Sequence, residues 1–163
     1  MNNLLNNAGF TLIECLIILA LIAILASIAM LSGGSWFNQQ HSHTVIDQLV
    51  HELQFARQQA ILRKTLVTFC PTEDFQQCAD NVAWKKGYLI FIDPAGKATT
   101  DANSEVLNIT RLTSTGLLTN TRDYIQFTAD GFTRSTNSTF TYTADNKEYR
   151  IIINLQGRIR VEE

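Results

Sequence analysis

One run of residues limits what the rest of this chain can become. From Cys15 to Leu31 the only polar side chain is Ser27. With Phe10 to Ile13 the run reaches the length of about 20 residues that crosses a bilayer as a helix. A single carboxylate, Glu14, sits near its start. A charge in hydrocarbon is costly and usually functional, so Glu14 calls for a partner. A secretory signal peptide carries its small-residue cleavage site after the apolar core. Here Ala8 and Gly9 come before it. Cutting after Gly9 would remove a polar leader, residues 1–9, and keep the apolar segment, with Phe10 as the new amino terminus ahead of Glu14.

Gly9-Phe10-Thr11-Leu12-Ile13-Glu14 followed by an apolar helix resembles the processing site of type IV prepilins and type II secretion pseudopilins. The resemblance implies cleavage after Gly9 by a prepilin peptidase, N-methylation of Phe10, and pairing of Glu14 with the terminal amine of a neighbouring subunit. An ammonium and a carboxylate that must both enter an apolar filament core offset each other's desolvation if they meet. It also implies a single pass through the bacterial inner membrane with a periplasmic domain, then a pilus filament at the cell surface, with other pilins as partners through the helix. In one respect the chain departs from the pattern: Met1 to Gly9 holds no Lys or Arg, where such leaders are usually basic. Loop charge therefore gives little orientation signal.

With 163 residues, 45% of them hydrophobic, the chain has room for one anchor and one small domain. Its net charge of -2 offers no general attraction to nucleic acid or anionic lipid, so any such binding must come from a local cluster. Of three cysteines, Cys15 lies in the apolar run and acts there as a small hydrophobe. Cys70 and Cys78 flank a polar loop. If the anchor places that loop outside the cytoplasm, a Cys70–Cys78 disulfide is expected, contributing somewhat less than the roughly 3 kcal/mol of a 15-residue loop. Zinc is the weaker alternative, because two thiolates are half of a structural site.

After the membrane segment, residues 10–31, Ser32-Gly33-Gly34-Ser35 weakens helix and predicts a hinge or a melted turn. Val45, Ile46, Leu49, Val50, Leu53, Ala56, Ala60 and Ile61 then recur at helical spacing, so residues 32–64 read as an amphipathic continuation that docks on a sheet. His43, Asp47, Gln48, Glu52, Gln54, Arg57 and Gln58 are assigned to its other faces. A continuous helix from Phe10 to Lys64 would be about 80 Å long. From Thr65 the period becomes two, and residues 65–163 read as an antiparallel β domain. Strands are expected at Leu66–Cys70, Gly87–Ile92, Val106–Leu112, Tyr124–Thr128, Thr139–Thr143 and Glu148–Leu155. The second is apolar on both faces and should be central. Asp130-Gly131 and Asp145-Asn146-Lys147 supply turns, which predicts that the last three strands form a meander. The fold class is α+β: a long N-terminal helix packed on antiparallel sheet.

Nothing in the sequence has the pattern of an enzyme. His41 and His43 fall on different faces of a helix and His51 lies two turns beyond, which makes no metal box, and they read as solvated. Neither a Gly-x-Ser-x-Gly elbow nor a phosphate-binding glycine loop occurs. No catalytic residue, metal or cofactor is expected.

The C-terminus is more informative. Ile151, Ile153 and Leu155 alternate with polar neighbours and should face the core. If that register survives Gly157, Arg158 and Arg160 share a face with Arg150, while Ile159 and Val161 stay inward; Gly157 can instead bend the strand. Guanidinium is planar, always charged and matched to phosphate oxygens. The plain alternative is a solvated strand end screened by Glu162 and Glu163.

Cys70-Pro71 with Cys78, the segment Ile125 to Phe132 and the ending Leu155-Gln156-Gly157-Arg158-Ile159-Arg160 are similar to the FimT and GspH group of minor pilins. In FimT-like pilins a Gly-Arg-x-Arg ending is associated with DNA binding during natural transformation, and Gly157 to Arg160 match it in full. The resemblance implies double-stranded DNA as a partner, held by its backbone phosphates. No aromatic platform interleaves with the arginines, so two or three phosphate contacts imply a log-log salt slope of about -2 to -3. Lys85, Lys86, Arg134 and Lys147 are candidates to extend the patch, at positions that the sequence does not bring together. A GspH-like pseudopilin of a type II secretion system, with no DNA contact, is the alternative reading.

Overall fold

The computed structural model describes residues 11–80, 84–100, 104–113, 116–134, 137–144 and 146–162, with residues 28–40 described as backbone alone. The leader, the Gly9–Phe10 cleavage site and Asp145 lie outside the described residues. Two compact units are present, the first ending at Gln40 and the second beginning at His41.

A single helix, α1 (Leu12–Arg63), covers the apolar run and the amphipathic stretch. It does not break at Ser32-Gly33-Gly34-Ser35, where the sequence predicts a hinge. Each glycine costs about 1 kcal/mol relative to alanine in a helix, which lowers helix stability without forbidding it. The N-terminal start is a capping box. The Thr11 backbone N–H and hydroxyl both donate to Glu14 Oε2 at 2.9 Å, and the Glu14 N–H reaches back to the Thr11 hydroxyl at 3.4 Å. Thr-x-x-Glu before an apolar run is the sequence form of this cap. Among the described residues no helix is long and apolar enough to cross a membrane, and the described side chains of the run end at Ser27.

In the second unit the helix meets eight strands: β1 (Val67–Pro71), β2 (Gly87–Ile92), β3 (Val106–Arg111), β4 (Leu117–Asn120), β5 (Ile125–Phe127), β6 (Ser138–Ala144), β7 (Lys147–Ile153) and β8 (Ile159–Glu162). They form two antiparallel sheets, ordered β3-β2-β1-β5 and β4-β6-β7-β8. Val45, Ile46, Leu49, Leu53, Ala56 and Ala60 bury the predicted stripe against both sheets, Val50 packs at its margin, and Ile61 is left 44% exposed. Phe69, Trp84, Tyr88 and Phe140 form an aromatic cluster in the same core. β2 is interior, as expected. Tyr88 and Ile90 face the helix side, while Leu89 and Phe91 pack with Cys70 and Cys78 on the other. Cys70 and Cys78 are disulfide-bonded, with Cα atoms 5.6 Å apart.

The predicted meander does not form. β6 and β7 do make a hairpin, but β5 pairs with β1, through Val67↔Phe127 and Phe69↔Ile125, and so belongs to the other sheet. A buried polar network explains the choice. Gln126 Nε2 donates to Thr68 Oγ1 at 3.1 Å and to Asp93 Oδ2 at 2.9 Å, so β5 satisfies its buried amide only beside β1. Burial raises the Asp93 pKa, but hydrogen bonds from the Ala98 N–H, the Thr68 hydroxyl, the Lys97 N–H and Gln126 outweigh it and hold the carboxyl below the usual range. The strands β4 and β8, each four residues long, are not among those that the sequence pattern predicts. Both are edge strands of the second sheet.

Candidate functional site

The Arg-rich ending is a hairpin, not a straight strand. β7 ends at Ile153, the chain turns over Asn154 to Arg158, and β8 returns antiparallel with Ile153↔Ile159, Ile152↔Arg160 and Arg150↔Glu162. Asn154 N–H donates to the Arg158 carbonyl at 3.1 Å, and Gly157 N–H donates to the Asn154 carbonyl at 2.9 Å. Asn154 Oδ1 accepts the Arg158 N–H at 2.8 Å. With Gly157 at φ 70°, this is a three-residue loop closed by a glycine bulge. Because β8 folds back on β7, Leu155 lies in the turn and is 48% exposed, not inward, and Val161 on the edge is 46% exposed.

Gly157 is held from two sides. A Cβ there would collide with the Gly131 carbonyl oxygen and would lie 2.8 Å from Arg57 Nε. Arg57 donates from Nε to that same carbonyl at 2.8 Å and from Nη2 to the Gln156 carbonyl at 3.1 Å. One guanidinium from α1 thus ties the Thr128–Phe132 turn to the C-terminal hairpin with charge-assisted bonds. Thr133 adds a strut, its N–H donating to the Leu155 carbonyl at 2.9 Å. The sequence pattern puts Arg57 on a face other than the apolar stripe. The missed signal is its spacing from Leu53, Ala60 and Ile61, which places it within the apolar stripe.

Arg158 and Arg160 are exposed and, through the antiparallel pairing, lie on the face that also carries Arg150 and Glu162. Arg150 is drawn to Glu162, Nη2 to Oε2 3.9 Å, an exposed pair that partly offsets its charge. Among the described residues no carboxylate comes within ion-pair distance of Arg158 or Arg160.

The other candidate bases are dispersed. Lys85 and Lys86 precede β2, where Lys86 carbonyl accepts from Leu112 and the neighbouring Trp84 N–H donates to Leu118. That places them with the β3 and β4 edges, whereas the hairpin adjoins the β5 and β8 edges at the opposite ends of both sheets. Lys147 starts β7, six residues from Ile153, roughly 20 Å along the strand. Arg134 follows Thr133, but its Nη1 reaches the Gly96 carbonyl at 3.5 Å, toward the turn after β2. The structure therefore brings together Gly157, Arg158, Arg160 and Arg150, and leaves the four others outside. Of the histidines, His43 is half-buried and packs edge-on against Tyr149, while His41 and His51 are exposed.

Residues 45–157 match the family model of the type II transport protein GspH, and residues 4–30 match the prokaryotic N-terminal methylation motif. No curated protein matches the sequence. Among solved structures, the type IV minor pilin FimU of Pseudomonas aeruginosa strain PAO1 is similar in two crystal forms. One, in space group P65, has a TM-score of 0.59 at 22% identity, covering 74% of this chain and 92% of the crystallised chain. The other, in P21, has a TM-score of 0.58 at 20% identity, covering 78% and 92%. At this identity the likeness is one of fold.

Proposed function

This chain belongs to the GspH family of minor pilins and pseudopilins, and from that premise we propose that it is a FimT-like minor type IV pilin that binds DNA through its C-terminal hairpin and supports DNA uptake in natural transformation. The observation that carries the reading is the pair of exposed guanidiniums, Arg158 and Arg160, on a hairpin fixed by Gly157 and Arg57. A fixed spacing of cations along one strand suits successive phosphates, and the contacts are to the backbone, not to base edges. Two contacts give weak, salt-sensitive binding, which several copies on one filament raise by avidity.

The rest of the chain serves assembly. A prepilin peptidase removes residues 1–9 by cutting after Gly9, and Phe10 is methylated. Residues 10–31 cross the inner membrane once and later line the filament core, residues 32–64 continue the helix, and residues 65–163 form the exported domain. Glu14 exchanges its intrachain cap for the amine of a neighbouring Phe10. Glu14→Ala should leave cleavage largely intact and sharply reduce incorporation into filaments, as immunoblots of whole cells and sheared pili would show; normal incorporation would refute the charge pairing.

For DNA, a mobility-shift titration of the full-length chain in detergent with duplex DNA at low salt should give a shift that Arg158→Gln and Arg160→Gln each weaken. A second reading is favoured by the family description itself: a pseudopilin of a type II secretion system. No shift at low salt with the unmutated chain, even at high protein density on the DNA, would decide for it.

A further inference from the structure

We propose that Phe132 is a base-stacking surface beside the arginine pair, and that the hairpin therefore takes single-stranded nucleic acid in preference to duplex. This rests on the DNA-binding reading above and names its substrate class. Phe132 is distant from the hairpin in sequence, but the structure sets the two in direct backbone contact. Gly157 lies against the Gly131 carbonyl so closely that it has no room for a Cβ, so the peptide that joins Gly131 to Phe132 abuts the residue before Arg158. The Thr133 N–H bond to the Leu155 carbonyl, 2.9 Å, locks the other side of Phe132 to the same loop. Arg57 closes the junction by binding the carbonyls of Gly131 and Gln156.

Held this way, Phe132 is 49% exposed at the tip of a braced turn. Its own carbonyl accepts from the Thr128 N–H at 2.8 Å and from the Thr128 hydroxyl at 3.2 Å, which fixes the backbone that presents the ring. A half-exposed aromatic side chain, on a turn whose backbone abuts the loop that leads into Arg158 and Arg160, joins a stacking surface to two guanidiniums without carboxylate partners among the described residues, the combination that binds an unpaired strand. The cations follow the phosphates and the ring takes a base, whatever its identity. A duplex keeps its bases stacked on one another and offers the ring nothing beyond its backbone. Leu155, whose carbonyl accepts the Thr133 N–H, is likewise 48% exposed.

The test compares the full-length chain in detergent with Phe132→Ala and Phe132→Tyr, using fluorescently labelled oligo(dT) and a duplex of equal length at low salt. Phe132→Ala should weaken oligo(dT) binding about tenfold and duplex binding less than about twofold, while Phe132→Tyr retains both. Equal loss on both ligands, or no loss on oligo(dT) while Arg158→Gln still weakens the duplex, would overturn the stacking role and leave the DNA-binding reading intact. Absence of binding to either ligand by the unmutated chain would overturn both. Unchanged binding together with reduced recovery of Phe132→Ala in sheared pili would identify Phe132 as a contact between subunits and also overturn the proposal. Thermal melting of each variant checks that the fold survives, which half-exposure of the ring favours.

Discussion

The two ends of this chain carry their information differently. Gly9 to Glu14 is a local code: its helix start is closed by residues three apart, with Thr11 and Glu14 satisfying each other. Gly157 to Arg160 has the look of a local motif, but its geometry depends on tertiary partners, since Gly131 and Arg57 lie far away in sequence. A motif read as four letters thus divides into a structural glycine, two presented arginines and a spacer at the strand edge. The glycine and the arginines should therefore fail in different ways when changed.

The largest effect is expected at Gly157. Gly157→Ala must place a Cβ against the Gly131 carbonyl at a positive φ, and should cost about 3 kcal/mol by urea denaturation while also weakening DNA binding. If stability were unchanged, the C-terminal end would be as local as the N-terminal one.

Asp93 gives an intermediate case, because its carboxylate has both local partners, Lys97 and Ala98, and distant ones, Thr68 and Gln126. Its folded pKa is held below the usual carboxylate range. The stability it contributes is therefore complete above the unfolded value of about 4 and is lost as pH falls through the lower folded value. Asp93→Asn should cost about 2 kcal/mol at neutral pH, and less as pH drops through that window, measured by urea melts at several pH values. A pH-independent cost would mean that the charge plays no part.

A smaller loss is expected at the local end. Thr11→Ala removes the cap and should cost about 1 kcal/mol of helix stability, confined by amide exchange to the first turn. Loss of protection beyond that turn would show that the cap is not local. The smallest effect on stability belongs to Arg158→Gln and Arg160→Gln, each within about 0.5 kcal/mol, because both side chains are exposed.

How much of this was legible in the sequence follows the same division. The apolar stripe of α1 from Val45 to Ala60, the interior position of β2 and the inward alternation of Ile151 and Ile153 are patterns of spacing, and these residues lie as their spacing requires, whereas Ile61 and Leu155, at the ends of the same patterns, are exposed. The capping box is legible in Thr11-Leu12-Ile13-Glu14, where Glu14 has an ordinary partner three residues before it. The sheet that receives β5 was not legible, because it is decided by one buried amide, Gln126, finding Thr68 and Asp93. The C-terminal hairpin was half legible. Asn154 and Gly157 stand where a type I turn with a glycine bulge wants them, yet the short return strand β8 has too few residues to show a period. The role of Arg57 needed the fold, since nothing in its neighbours says that two turns will bring carbonyls to its guanidinium.

The role proposed for the hairpin is to present Arg158 and Arg160 to phosphate. It is tested most directly by the salt dependence of duplex binding to the full-length chain in detergent, measured for the unmutated chain and for Arg158→Gln. A log-log slope of about -2 to -3 that becomes shallower by about 1 in the variant, with the melting temperature unchanged, is the result predicted. A slope that does not change on losing Arg158 would contradict the claim and place any DNA contact elsewhere on the chain.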